Sequence, residues 1–157
     1  MTKAMKIMAA VDLSEYSATI VRYCGWLAMR LDAELVLVNV INQRDLDMVG
    51  RTMAGYEAFS YPNYLTEQVA YRETQMKDLF NAISTGTIEC RYLVQTGIPY
   101  RELLAAIESE KPKLLVVGTK GRSNLADVVV GSTARRLYRR SPIPLLTIPA
   151  GFNHLDG

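Results

Sequence analysis

Apolar residues run almost without interruption through Lys6 to Val11 (KIMAAV) and Glu34 to Ile41 (ELVLVNVI). Such runs suit strands of a sheet that is covered on both faces. Between them the period changes. Ile20, Cys24, Leu27, Ala28 and Leu31 recur at helical spacing, which predicts an amphipathic helix over residues 16–31. Leu65, Val69, Met76, Leu79, Phe80 and Ile83 mark a second helix, with Gly86 placed to close it. Ile88 to Val94 alternates apolar and polar, as a strand with a more exposed face does. Gly97 and Pro99 then open a third helix with a Leu103, Leu104, Ile107 stripe, and Pro112 stops it. Proline fits a first helical turn because its missing N–H has no partner there. Lys113 to Gly118 reads as a fourth strand, Ser132 to Arg140 as a fourth helix and Leu145 to Ile148 as a fifth strand.

This regular strand–helix alternation predicts an α/β domain: a parallel sheet with helices on both faces, in three layers. Residues 42–64 break the rhythm. They hold Gly50, Gly55 and Pro62 among Tyr56, Phe59, Tyr61 and Tyr64, and a structureless loop of that length is unusual in a compact domain. Two readings stay open, a variable insertion with local hydrophobic packing and a lid or partner surface. The expected organisation is one domain over residues 1–150, including that insertion, and a tail at 151–157.

Composition narrows the class. The chain has 157 residues, 49% apolar and 22% charged, the balance of an ordinary globular domain. A net charge of +2 does not by itself argue for nucleic acid or membrane. The apolar runs are far too short to span a bilayer, and the first residues lack a signal peptide's long apolar core. Cys24 and Cys90 form no CxxC pair, and His154 is the one histidine. A zinc site or a Cys–His catalytic pair is therefore not expected, and the expected setting is the reducing cytoplasm.

The stretch GTKGRSNLADVVVGST, residues 118–133, carries the candidate chemistry. It joins the fourth strand to the fourth helix, and open α/β sheets bind ligands at the carboxyl ends of their strands. Its glycines are spaced Gly118-x2-Gly121-x9-Gly131-Ser132, which is neither a Walker loop nor GxGxxG. Gly118 permits a close approach at the strand end, and Gly121 suits a tight turn. Gly131, Ser132 and Thr133 lie at the start of a helix, where free N–H groups favour an anion. Lys120 and Arg122 would offset its charge. The bland alternative is a flexible connection with an ordinary helix cap. Arg135, Arg136, Arg139 and Arg140 cluster on the same helix. Cations near a helix C-terminus are favourable on their own account, so the cluster is not read as a nucleic-acid surface. Trp26 beside the first helix's stripe is read as packing.

In this loop the chain resembles the universal stress protein family, in particular its nucleotide-binding branch with the signature G-x2-G-x9-G-[ST]. MAAVDLSEYS (8–17), TGIPYRELL (96–104) and SPIPLLTIP (141–149) resemble further family segments. The resemblance implies a five-stranded doubly wound sheet of order 3-2-1-4-5, with the crevice between strands one and four as the binding place. It also implies an adenine nucleotide, ATP, with or without Mg²⁺ or Mn²⁺. Asp12 would accept a hydrogen bond from the adenine edge, and it fits a capping box with Glu15 as well. Ala10 and Val11 would line the base pocket. Val40 would contact the base, or is plain core. Gly118, Gly121, Gly131, Ser132 and Thr133 would hold ribose and phosphates, with Lys120 and Arg122 nearby. The edge of strand Leu145–Ile148 would pair with its copy in a homodimer.

Three functional classes follow. One is an ATP-binding regulatory module of the stress response, acting through dimer or protein-partner contacts. The second is a slow Mg-dependent ATPase, for which the loop offers only Asp127 as an acid. The third is a nucleotide-free interaction protein using the aromatic 42–64 segment. The first is preferred because the glycine signature is complete.

Overall fold

The computed structural model describes residues 5–83, 87–120 and 130–153. Five strands, β1 (Lys6–Ala10), β2 (Glu34–Asn42), β3 (Cys90–Gly97), β4 (Leu114–Gly118) and β5 (Leu145–Ile148), alternate with five helices. These are α1 (Ser17–Leu31), α2 (Gln43–Thr52), α3 (Tyr61–Asn81), α4 (Pro99–Glu110) and α5 (Ser132–Arg140). The sheet is parallel throughout and its order is β3-β2-β1-β4-β5. This is the parallel sheet between helices expected from the alternation, in the doubly wound strand order that the family resemblance implies.

The continuous apolar runs are explained by two cores. On one face Ile7, Ala9, Leu35, Leu37 and Val116 meet Ile20, Val21, Cys24 and Ala28 of α1 and Met76 of α3. On the other, Met8, Val36, Val38, Leu115 and Val117 meet Leu103 and Ile107 of α4 and Ala134 and Leu137 of α5. Successive strand residues point to opposite faces, so β1, β2 and β4 need apolar side chains at nearly every position. Phe152, in the expected tail, packs edge-on against Tyr23 with centroids 5.8 Å apart.

Several boundaries differ from the sequence expectation. The 42–64 segment is not structureless: it contains α2 and the first turn of α3. Helix α2 buries only Leu46, so its sequence carries no apolar stripe to read. It starts because the Asn42 side chain accepts a hydrogen bond from the Arg44 N–H at 3.0 Å, a regular N-cap. Locally, Phe59 and Tyr64 pack with centroids 5.8 Å apart. Strand β3 starts two residues later than expected and runs on to Gly97, because it follows β2 residue by residue up to Asn42. In α1 the buried stripe is rotated: Val21 is in the core while Leu31 is 44% exposed. Gly86 lies outside the described residues.

At the amino ends of the strands, Glu110 gathers three elements. It accepts bidentate bonds from Arg91 at 2.9 Å and one from the Lys6 ammonium at 3.1 Å. The Arg91 hydrogen bonds, then the Lys6 bond, hold its carboxyl below the usual carboxylate range against the opposing effect of burial. A depressed folded-state pKa gives stability that is complete above the unfolded value, about 4.3, and lost as pH falls through the folded value. Arg91 is nearly half exposed, so Glu110→Gln should cost about 1 kcal/mol at pH 7. In thermal melts the gap between wild type and variant should close below about pH 4. A gap independent of pH would contradict the assignment.

Candidate functional site

At the carboxyl ends of the strands lies a cavity of about 360 Å³, within the range typical of small-molecule sites. The order of the sheet creates it. Strands β1 and β4 are neighbours, and their connections leave on opposite faces, towards α1 and α5. Ala10, Val11 and Asp12 line it from β1, and Val40 from β2. Gly118 and Lys120 line it from the end of β4, and Gly131, Ser132 and Thr133 from the start of α5. The structure thus brings nine of the predicted site residues to one place. Gly121 and Arg122 lie outside the described residues, as does Asp127.

Asp12 sits in a turn of its own making. Its Oδ1 accepts from the Ser14 N–H at 2.9 Å and from the Ser17 hydroxyl at 3.2 Å. The capping box with Glu15 does not form, because α1 begins later, with Tyr16 at its cap position. Both bonds go to Oδ1, which leaves Oδ2 without a partner among the described residues. Leu13, next in the chain, has φ +62°, a left-handed conformation that is costly for a non-glycine residue.

The other wall is a helix start. No side chain caps α5. The Gly131 N–H donates to the Thr119 carbonyl, and the Gly131 carbonyl accepts from the Arg135 N–H at 3.0 Å. Among the described residues the N–H groups of Ser132, Thr133 and Ala134 have no acceptor. Unfilled first-turn donors and the positive end of the helix dipole favour an anion. Gly118 is needed for close approach: a Cβ there would stand 2.9 Å from Ile20 Cδ1 and 3.0 Å from the Lys120 carbonyl.

Other lining residues went unremarked in the sequence. Asn42, Arg44 and Asp45 come from the β2–α2 junction, and Arg72 from α3. Asn39 holds Arg72 in place. It is 1% exposed, donates to the Val11 carbonyl at 2.7 Å and accepts from Arg72 Nη1 at 3.1 Å. A polar residue inside the apolar run ELVLVNVI was the available signal.

Neither cysteine suits nucleophilic chemistry. Burial pushes the Cys24 thiol far up and the Cys90 thiol up to about 12, so both stay protonated at neutral pH. Among the described residues no group of three His, Cys, Asp or Glu side chains gathers as a metal site. No helix among them is long and apolar enough to cross a membrane.

The model of the Universal stress protein family matches residues 3–149. The chain belongs to that family. Universal stress protein MJ0577 of Methanocaldococcus jannaschii is 21% identical to this universal stress protein over 154 residues, covering 91% of this chain and 93% of its own. Universal stress protein YxiE of Bacillus subtilis is 24% identical over 146 residues, with 91% and 97% covered. The solved structure of MJ0577 matches with a TM-score of 0.75 at 20% identity, across 97% of this chain and 100% of its own. A universal stress protein solved in complex with cAMP matches with a TM-score of 0.62 at 21% identity, over 94% and 98% of the chains. One from Archaeoglobus fulgidus in complex with dAMP matches at 0.58 and 13%, over 94% and 99%. At these identities the structural likenesses concern the fold of this universal stress protein.

Proposed function

We propose that the cavity binds an adenine nucleotide, ATP, and that the chain is a regulatory module of the stress response. Its nucleotide state would set its dimer or partner contacts. One observation carries this reading: a single cavity joins Asp12 Oδ2, a carboxylate oxygen without a partner among the described residues, to the first turn of α5, which no side chain caps. The first accepts from an amino group such as that of adenine, and the second donates to phosphate oxygens. Ala10, Val11 and Val40 offer apolar contact to the base, and Val40 is only half-buried. Lys120 offsets phosphate charge, with Gly121 and Arg122 assigned to the same loop by the sequence motif. The complexes of relatives with cAMP and dAMP support an adenine ligand. Among the described residues Asp12 and Asp45 are the acids lining the cavity, so Mg²⁺ or Mn²⁺ would be held chiefly by the nucleotide's own phosphates. Hydrolysis, on this reading, is weak at most. The site of action is the cytoplasm, and the exposed edge of β5 pairs two copies.

Calorimetric titration tests the reading. Asp12→Asn keeps an Oδ1 acceptor for the turn but removes the charge and gives an amide donor at the other atom. It should weaken ATP binding at least about tenfold, the value of a charge-assisted hydrogen bond, and leave the thermal midpoint nearly unchanged. No saturable heat with ATP, AMP or cAMP on wild-type protein would sink the proposal.

A further inference from the structure

Away from the cavity, α4 and α5 together carry a group of cations with no counter-charge among the described residues. Tyr100, in the first turn of α4, is only 7% exposed: it packs into the core beneath α4 and α5, and three guanidinium groups lie over its ring. The Arg136 Cζ lies 4.9 Å from its ring centroid, the Arg140 Cζ 5.2 Å and the Arg101 Cζ 5.7 Å. The Arg101 Nε also donates to the phenol oxygen at 3.0 Å. Each contact is a favourable cation–π or charged hydrogen-bond interaction. All three arginines are nevertheless exposed at the surface, and so are Arg135 and Arg139. Between these last two stands Tyr138, 81% exposed. Among the described residues no carboxylate pairs with any of the five arginines; the ion pairs there belong to Lys6, Lys77 and Arg91.

Packing three like charges around one ring has an electrostatic cost that a bound anion relieves. The ring acts as a fixed base that holds the guanidinium planes, so little side-chain freedom remains to be lost on binding. Pre-set forks of this kind match carboxylates bidentately. Exposed tyrosine flanked by arginine is the composition of an interface anchor.

We propose that the Arg101–Arg136–Arg140 cluster on Tyr100, with Tyr138 beside it, docks a carboxylate-rich segment of a protein partner. Single-stranded nucleic acid fits less well. It needs a series of open aromatic faces for successive bases; here the Tyr100 ring is covered and Tyr138 is the one open ring on α5. An anionic membrane fits less well too, because α5 exposes one large apolar side chain, Tyr138, and not an apolar face.

The test is fluorescence anisotropy of a fluorescein-labelled oligoglutamate peptide with the full chain. Wild type should bind saturably, and more weakly as salt rises. The Arg136→Ala, Arg140→Ala double variant should lose at least about tenfold in affinity. The Arg136→Lys, Arg140→Lys variant keeps the charge but not the forked geometry and should fall between. Arg22→Ala, on the exposed side of α1, should match wild type. Far-ultraviolet circular dichroism checks folding. If the alanine double variant is unfolded, the lysine pair and Arg101→Ala decide. No saturable peptide binding by wild type overturns the proposal. So does equal binding by folded variants of the cluster. Tighter binding to oligothymidylate, or to phosphatidylserine vesicles, overturns the choice of a protein partner.

Discussion

Gly118→Val should lower the thermal midpoint by about 5–10 °C and abolish nucleotide binding. The site of the substitution is closed on two sides. A Cβ would come within 2.9 Å of Ile20 Cδ1, and Ile20 is itself in the core. It would also come within 3.0 Å of the Lys120 carbonyl, which is backbone and cannot rotate away. Overpacking of this kind costs about 1–3 kcal/mol, and a second branch at Cβ places valine at the upper end. The strand end cannot simply shift. Gly118 is in register with Ile148 of β5, and the next N–H, that of Thr119, donates to the Ile148 carbonyl at 2.9 Å. Thr119 also accepts from Gly131 and so ties β4 to the start of α5. Strain at residue 118 is therefore passed to both walls of the cavity. Scanning calorimetry with and without ATP is the measurement. A variant with a wild-type melting point and wild-type affinity would show that the close approach is not required.

Asn39→Leu should be of similar size, by the opposite mechanism. Leucine matches asparagine in branching and heavy-atom count, so among apolar replacements it disturbs packing least, and the main effect is the loss of polar contacts. What is lost is the donor to the Val11 carbonyl and the acceptor for Arg72. Leaving a buried group unsatisfied costs about 1–3 kcal/mol, more when the partner is charged. We expect a loss of about 3 kcal/mol in urea unfolding with an unchanged m-value. Nucleotide affinity should drop as well, since Val11 and Arg72 both line the cavity. The reverse result, a more stable protein, would mean that the polar bridge is dispensable, as some buried polar groups are.

The legible parts of this sequence are those whose signal is local. Strands β1, β2 and β4 announce themselves because both of their faces are buried, and α4 because Pro99 and Pro112 bracket it. Asp12 is different: its candidate role comes from the family resemblance of residues 8–17, and the local pattern suggests only a capping box. The places that escaped reading depend on distant partners. Helix α2 is ten residues long, mostly polar, and buries Leu46 alone, so it offers no apolar stripe to count. Strand β3 extends to Gly97 only because β2 reaches Asn42. Arg72 looks like any solvated cation on a long helix. It reaches the cavity because Asn39, thirty-three positions earlier, offers it an acceptor. The basic residues of α5 read as favourable C-terminal charges. Their grouping around Tyr100 follows from how α4 packs beside α5, which one helix alone does not disclose.

The order of the strands also has a consequence for how the protein is made. Strand β1 is synthesised before the other four strands, yet it lies at the centre of the sheet, and its second neighbour, β4, comes more than one hundred residues later. Until then, one side of β1 is an open hydrogen-bonding edge at the ribosome, flanked by apolar side chains. Closing it requires a contact between the two halves of the chain, the kind of long-range pairing that slows folding. The walls of the cavity come from the same two halves. A fragment that ends before α5 lacks one wall of the cavity, so the cavity forms only once α5 has been translated.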